Sequence, residues 1–94
     1  MKTATKWDAS EYLETEEDMA AYLNAALEDG DTSVIAAALG DIARAKGMTQ
    51  LSKETGITRD GLYKALSPTG NPSFDTVQKV VRAFGLKLDV AALA

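Results

Sequence analysis

Residues 48–67 (MTQLSKETGITRDGLYKALS) constrain the fold more than any other stretch, because they predict two short helices on either side of a tight turn. Thr49 is placed to cap the first helix and Thr58 to cap the second. Gly56 ends the first helix, since glycine adopts a positive φ without steric cost. The segment therefore predicts two helices that meet around Gly56.

Apolar residues recur where these two helices would face a common core. Leu51 lies on the first helix, Ile57 follows the turn, and Leu62 and Leu66 share one side of the second helix. Ser52 is small enough to let the helices cross closely. A helix-turn-helix, whose second helix lies in the major groove of DNA, requires this combination. The stretch thus favours a DNA-binding domain.

Three further helices flank this pair and complete an all-α prediction. A capping-box-like start at Thr15 precedes the first, a second ends at Gly47, and Ser73 caps the last, with Phe74 on its apolar face. The second of these helices has three candidate caps: Asp31, Thr32 and Ser33. A preliminary helix is predicted around residues 8–13. The expected fold is a five-helix, lambda-repressor-like helix-turn-helix domain.

The C-terminal tail alternates apolar and charged residues, which predicts a short, half-buried strand. We assign Leu86, Leu88 and Val90 to a homodimer interface, in which this edge strand pairs with its symmetry mate. In the alternative, the tail covers the core of its own chain. The chain forms one domain of 94 residues, divided into an acidic helical region, a helix-turn-helix core and the tail, at 1–31, 33–85 and 86–94.

Charge divides the chain into two unequal halves. Residues 1–41 contain ten acidic and two basic residues, a net charge of −8, whereas residues 42–94 contain eight basic and four acidic residues, a net charge of +4. This asymmetry suggests two partners of opposite charge, although two ordinary solvated faces would look the same. The whole-chain charge of −4 therefore does not argue against DNA binding.

The composition excludes several functions. The chain has no cysteine and no histidine, which removes thiolate zinc sites, thiol nucleophiles and the commonest general base. Its carboxylates lie on exposed helix faces without metal-ligand spacing, so we expect neither an enzyme nor a cofactor or metal. The N-terminus lacks the apolar core of a signal peptide, and no apolar run approaches membrane-spanning length. We expect a cytoplasmic protein without membrane contact.

The exposed side of the second helix supplies the candidates for contact with double-stranded operator DNA. The candidates for base contact are Thr58, Arg59, Asp60, Tyr63 and Lys64. The candidates for phosphate contact, on the first helix and in the loop after the second, are Thr49, Gln50, Lys53, Ser67, Thr69 and Asn71. One such motif offers few base contacts, and pairing two in a homodimer supplies more.

Four positions of this region have a second interpretation. Asp60 could instead stabilise the helix N-terminus, and Tyr63 could form an edge of the core. Lys53 could be an ordinary solvated lysine. Gly61 is unfavourable inside a helix, and either close approach to DNA or close packing on a neighbouring helix would explain it.

Four segments resemble the addiction-module antidote family, the antitoxins of HigA type that carry a Cro/CI-like helix-turn-helix. They are WDASEYL (7–13), AAYLNAALEDGD (20–31), ALGDIARAKGMTQLSKETGITRDGLYKALSPTGNPSF (38–74) and FGLKL (84–88). The resemblance covers nearly the whole chain. It departs at Ser52, where such helices more usually have alanine.

The resemblance implies a small antitoxin encoded beside a RelE/ParE-type toxin, which it binds and neutralises while it represses their shared promoter. Such a toxin is expected to be basic, and an acidic surface would speed its encounter with the antitoxin. We therefore assign toxin contacts to acidic residues of the first half: Glu14, Glu16, Glu17 and Asp18. The alternative is a stand-alone Cro/CI-like transcriptional regulator without a toxin.

Overall fold

The computed structural model describes residues 13–94 and consists there of five α-helices without a β-strand. In chain order the helices are α1 (Glu16–Asp29), α2 (Thr32–Lys46), α3 (Met48–Thr55), α4 (Arg59–Ala65) and α5 (Phe74–Ala83). The prediction of an all-α chain with five main helices is confirmed. The preliminary helix predicted around residues 8–13 lies, apart from Leu13, outside the described residues.

Local capping signals set the boundaries of the first two helices. The Thr15 hydroxyl accepts a hydrogen bond from the Asp18 N–H at 3.0 Å, and the Asp18 carboxylate accepts one from the Thr15 N–H at 3.2 Å. This is the predicted capping box. Asp31 caps α2 by accepting from the Ser33 N–H at 2.9 Å. Hydrogen bonds from the Ser33 hydroxyl and N–H hold the pKa of Asp31 below its usual value.

The start of α3 differs from the prediction. The helix begins at Met48, and Gly47 occupies its N-cap position without a side-chain hydrogen bond, so Thr49 is the second helical residue and not the cap. Gly47 has φ +108°, which turns the chain directly from α2 into α3 and leaves no room for a separate capping residue. The predicted caps Thr58 and Ser73 are confirmed.

The core is formed by apolar side chains from all five helices and the residues that follow α5. The largest fully buried side chains are Phe84, Leu39, Ile42, Leu51, Leu62, Val80 and Val81. Ile57 is half-buried against this core. Phe74 is 71% exposed, so its predicted place on the apolar face is wrong. It is the first residue of α5, and the buried stripe of that helix begins one turn later.

Two glycines fix the far end of α4. A Cβ atom at Gly40 of α2 would collide with the carbonyl oxygen of Leu66, so α2 and the end of α4 approach closely only because that side chain is missing. A Cβ atom at Gly70 would collide with the carbonyl oxygens of Lys64 and Ala65. The loop after α4 therefore folds back onto the last turn of the helix and holds it in place.

The predicted C-terminal strand is not seen in the described residues. Residues 86–94 form no strand, because a ladder requires a second strand and the described residues contain none. Leu86 and Leu88 are half-buried and pack against the core of their own chain, whereas Val90 is 92% exposed. For Leu86 and Leu88 the alternative interpretation, a tail that covers its own core, describes the structure.

Candidate nucleic-acid interface

Side-chain hydrogen bonds from α3 fix the turn that joins it to α4. Gly56 has φ +76°, in the left-handed region favoured by glycine. The Ser52 hydroxyl donates to the carbonyl oxygen of Ile57 at 2.5 Å. The Thr55 hydroxyl accepts from the Ile57 N–H at 3.2 Å and donates to the carbonyl oxygen of Leu51 at 2.8 Å. Ser52 therefore does more than allow a close helix crossing. An alanine, the more usual residue at this position, could not donate this hydrogen bond to Ile57.

The turn presents one side of α4 to solvent. Leu62 and Leu66 are buried and anchor the other side in the core. The side chains opposite this anchor are exposed, and they are the four predicted helix residues Arg59, Asp60, Tyr63 and Lys64. Their spacing of three to four residues places them on one face. The structure thus brings the four predicted base-contacting residues of α4 together.

Weak internal contacts organise the exposed side of α4. The Arg59 guanidinium carbon lies 5.9 Å from the centre of the Tyr63 ring, a cation–π distance. Lys64 Nζ lies 3.3 Å from Asp60 Oδ2, and the two side chains are 79% and 80% exposed. Ion pairs this exposed contribute less than about 1 kcal/mol. Both contacts are weak and can be exchanged for contacts with a ligand.

Contacts in the structure bear on two of the open interpretations. Tyr63 is 45% exposed and carries Arg59 against its ring, so it lies on the exposed side of α4 and is not an edge of the core. A Cβ atom at Gly61 would lie 3.1 Å from the Thr58 hydroxyl oxygen and 3.3 Å from Cγ2 of Ile57. Gly61 thus packs against its own turn and not on a neighbouring helix, while close approach to DNA stays a prediction. The Thr58 hydroxyl accepts from the Gly61 N–H at 3.0 Å.

The predicted phosphate-contacting residues lie in two separate groups. On α3, Thr49, Gln50 and Lys53 are exposed, and within the described part of the chain none of them bonds to α4. In the loop after α4, the Ser67 hydroxyl donates to the carbonyl oxygen of Lys64 at 3.1 Å and lies 3.4 Å from the Thr69 hydroxyl. Asn71 is also exposed.

Several basic side chains of residues 42–94 are not neutralised. In the part of the chain that the structure describes, five of them form no ion pair: Lys46, Lys53, Arg59, Arg82 and Lys87. Lys79, by contrast, pairs with Asp75 at 3.1 Å. Lys46, Arg82 and Lys87 were not among the predicted contact residues, and only the count of charges in this half points to them.

The part of the acidic half that the structure describes is uniform in sign. Residues 13–41 contain eight acidic residues and no lysine or arginine. Of the predicted toxin-contacting residues, Glu14, Glu16, Glu17 and Asp18 are all exposed. Asp18 is occupied in the capping box, and the Glu16 side chain lies against Gly85.

A side-chain network that the sequence did not reveal joins α1 to α2. The Tyr22 hydroxyl donates to Asp41 Oδ2 at 2.5 Å, and Arg44 Nη2 donates to Asp41 Oδ1 at 2.5 Å. Burial and the hydrogen bond to Asp41 raise the pKa of Tyr22 to about 12. Only the Asp41–Arg44 spacing is visible in the sequence, because Tyr22 is nineteen residues away from Asp41.

Residues 13–94 contain no group of three or more potential ligands placed to hold a metal ion. None of the described helices is both long enough and apolar enough to cross a membrane.

Comparison with known proteins gives a family and a relative. A family model described as "Probable addiction module antidote protein" matches residues 3–92. An uncharacterized protein of Haemophilus influenzae is 50% identical over 84 residues, which cover 89% of this chain and 87% of that protein. No solved structure gives a significant match.

Proposed function

Since the chain belongs to the family of probable addiction module antidote proteins, we propose that it is the antitoxin of a type II toxin-antitoxin module. In this proposal it binds and neutralises a RelE/ParE-type toxin encoded beside it. It also represses its own operon as a homodimer that binds double-stranded operator DNA sequence-specifically. Membership of an antidote family implies a toxin partner. The class of the toxin, the repression of the operon and the homodimer are proposed here beyond what the family implies.

The observation that carries the DNA-binding part is the exposed side of α4. Arg59 can form a bidentate contact with guanine, Asp60 can accept from cytosine, and Tyr63 can contact a thymine methyl group. The three side chains lie on one face of a helix whose opposite face is anchored in the core by Leu62. We assign α3 and α4 to a helix-turn-helix of the Cro/CI type on this basis.

The distribution of charge supports two binding surfaces, a basic one for DNA and an acidic one for the toxin. The unpaired basic residues of the half 42–94 would neutralise phosphates, and phosphate attraction supplies most of the sequence-independent affinity for DNA. The acidic half, turned away from the duplex, would attract a basic toxin and raise its association rate. An acidic protein can in this way bind a polyanion with one half and a basic protein with the other.

The homodimer is proposed because a single helix-turn-helix reads few base pairs. Two copies of α4 would read half-sites about 34 Å apart. Since Leu86 and Leu88 pack on their own chain, Val90 is the predicted interface residue that remains available to a second copy.

Co-expression with the product of the neighbouring gene tests the proposal. We expect the two proteins to co-purify, the pair to allow growth where the neighbouring product alone arrests it, and the purified antitoxin to bind its own promoter. The promoter affinity should fall steeply between about 50 and 200 mM salt, since phosphate contacts release counterions. Promoter binding without co-purification would favour the stand-alone regulator, and failure of both would refute the proposal.

A further inference from the structure

An apolar groove of ≈ 350 Å³ runs between α1 and α2. Its walls include, from both helices, Tyr22, Ala25, Asp29, Val34, Ala37 and Asp41. The space exists because the facing positions are alanines, whose small side chains do not fill the gap between the two helices. No wall residue of the groove belongs to α3 or α4, so the groove and the exposed side of α4 share no residue.

The groove is open to solvent although its walls are apolar. Val34 is 41% exposed and Ala25 is also exposed. An exposed apolar surface with polar groups at its rim is typical of an interaction site, because burying it against a partner is favourable. Its concave form suits a projecting apolar side chain, which is how the best anchors of protein interfaces bind.

The two ends of the groove differ in charge. At one end the Asp41 carboxylate is compensated, since it accepts hydrogen bonds from the Tyr22 hydroxyl and from the Arg44 guanidinium. At the other end Asp29 has no cationic partner among the described residues, and its carboxylate accepts only a long 3.4 Å bond from the Asp31 N–H. Residues 13–41 contain no lysine or arginine, so the exposed Asp29 carboxylate is open to a basic side chain of a partner.

We propose that this groove is the main docking site for the toxin, and that residues 14–18 act mainly by long-range attraction. The groove receives an apolar side chain of the toxin, and a basic side chain beside it pairs with Asp29. The inference rests on the proposed function, because the toxin is the partner that the acidic half selects. The inference adds which surface of the protein contacts the toxin and which side-chain chemistry the contact uses. The count of acidic residues alone gives neither.

Two substitutions at neighbouring positions of α1 test the inference. Ala25→Arg places a cation in the groove, where it blocks the apolar side chain and repels the basic one. Asn24→Arg adds the same charge one residue earlier, at an exposed position that faces the space between α1 and the C-terminal tail. With the purified product of the neighbouring toxin gene, we expect Ala25→Arg to raise the Kd at least about tenfold and Asn24→Arg less than about threefold.

Val34→Lys tests the same groove from α2 and should also raise the Kd about tenfold. Thermal unfolding and promoter binding of each variant show whether its fold is intact. If one of the two groove variants, Ala25→Arg or Val34→Lys, does not fold, the toxin affinity of the other one tests the groove. If Asn24→Arg weakened binding as much as Ala25→Arg, net charge would be responsible and the groove would be excluded. Normal binding by both groove variants would also overturn the inference while leaving the antitoxin proposal intact. If the wild-type protein did not bind the neighbouring product, the proposed function itself would fail.

Discussion

The exposed side of α4 and the groove between α1 and α2 are both accessible to a partner, but they differ in polarity and in charge. On α4 the charges have both signs and are held in weak contacts, Arg59 against Tyr63 and Lys64 beside Asp60. The groove is apolar, and residues 13–41, which form its walls, contain acidic residues but no lysine or arginine. The exposed side of α4 suits a polar ligand with both donors and acceptors, such as the base edges of DNA. The groove suits a basic protein that inserts an apolar side chain.

This difference teaches that the net charge of a small protein does not identify its partners. The total of −4 is the sum of a strongly acidic half, with α1 and most of α2, and a moderately basic half, with the end of α2 and α3 to α5. Each half therefore acts as a separate electrostatic surface, and substitutions in one half should change binding to the partner of the other half very little.

The largest effect is expected at the buried residue that anchors α4 in the core. Leu62→Ala removes a fully buried side chain that anchors α4, and it should lower the free energy of unfolding by about 3 kcal/mol. Urea denaturation measures this loss. Tyr63→Ala, at the neighbouring exposed position, should change it by less than about 1 kcal/mol. Equal losses for both variants would mean that α4 is not anchored by Leu62.

The next effect concerns DNA alone. Arg59→Ala should weaken promoter binding by about 2 kcal/mol, because it removes a bidentate base contact, and should leave toxin affinity unchanged. Arg59→Lys keeps the charge but loses the planar fork, so it should recover little of this affinity. Fluorescence anisotropy with promoter DNA measures both. Full recovery by lysine would reduce the role of Arg59 to phosphate attraction.

A smaller effect is expected from the acidic residues at the start of α1. Simultaneous substitution of Glu14, Glu16 and Glu17 by lysine should slow toxin association about tenfold at low salt, and much less at high salt, because exposed charges are screened. Asp18 is left in place because its carboxylate completes the capping box. Stopped-flow mixing measures the rates.

The matched control for this variant reverses three acidic residues of the other half, Glu54, Asp75 and Asp89. It changes the total charge equally and should slow toxin association less while strengthening promoter binding. Equal rates for the two triple variants would show that only the net charge matters.

The smallest effect is the loss of the Tyr22 hydroxyl. Tyr22→Phe should cost about 1 kcal/mol of stability at neutral pH, because one hydrogen bond between α1 and α2 disappears. The pKa of Tyr22 is raised to about 12 in the folded chain, so the neutral hydroxyl is favoured there. Its contribution is complete below about pH 10 and is lost as the pH rises toward 12. The stability difference between wild type and Tyr22→Phe should therefore shrink over this range, and a constant difference would contradict the account.

The sequence predicted the features that depend on neighbouring residues. The caps at Thr15, Thr58 and Ser73 and the stop at Gly56 follow from side chains within a few positions of the helix ends. The exposed side of α4 follows from helical periodicity once Leu62 is placed in the core.

Features that depend on distant contacts were not predictable. The bond between Tyr22 and Asp41 and the groove beside it exist only when α1 packs on α2. The exposure of Phe74 depends on where the core ends, which periodicity within α5 does not reveal. The tail has the alternation of apolar and charged residues that is expected of a strand. A strand also needs a partner strand, and Leu86 and Leu88 pack on the core instead.

The central claim is that DNA and toxin bind to different halves of this protein. Its most direct test titrates Arg59→Ala and Ala25→Arg against promoter DNA and against the purified toxin, in parallel with the wild type. We expect Arg59→Ala to lose promoter affinity and keep toxin affinity, while Ala25→Arg does the reverse. If either variant lost both affinities while remaining folded, or if both lost the same one, the division of the two functions between the halves would be contradicted.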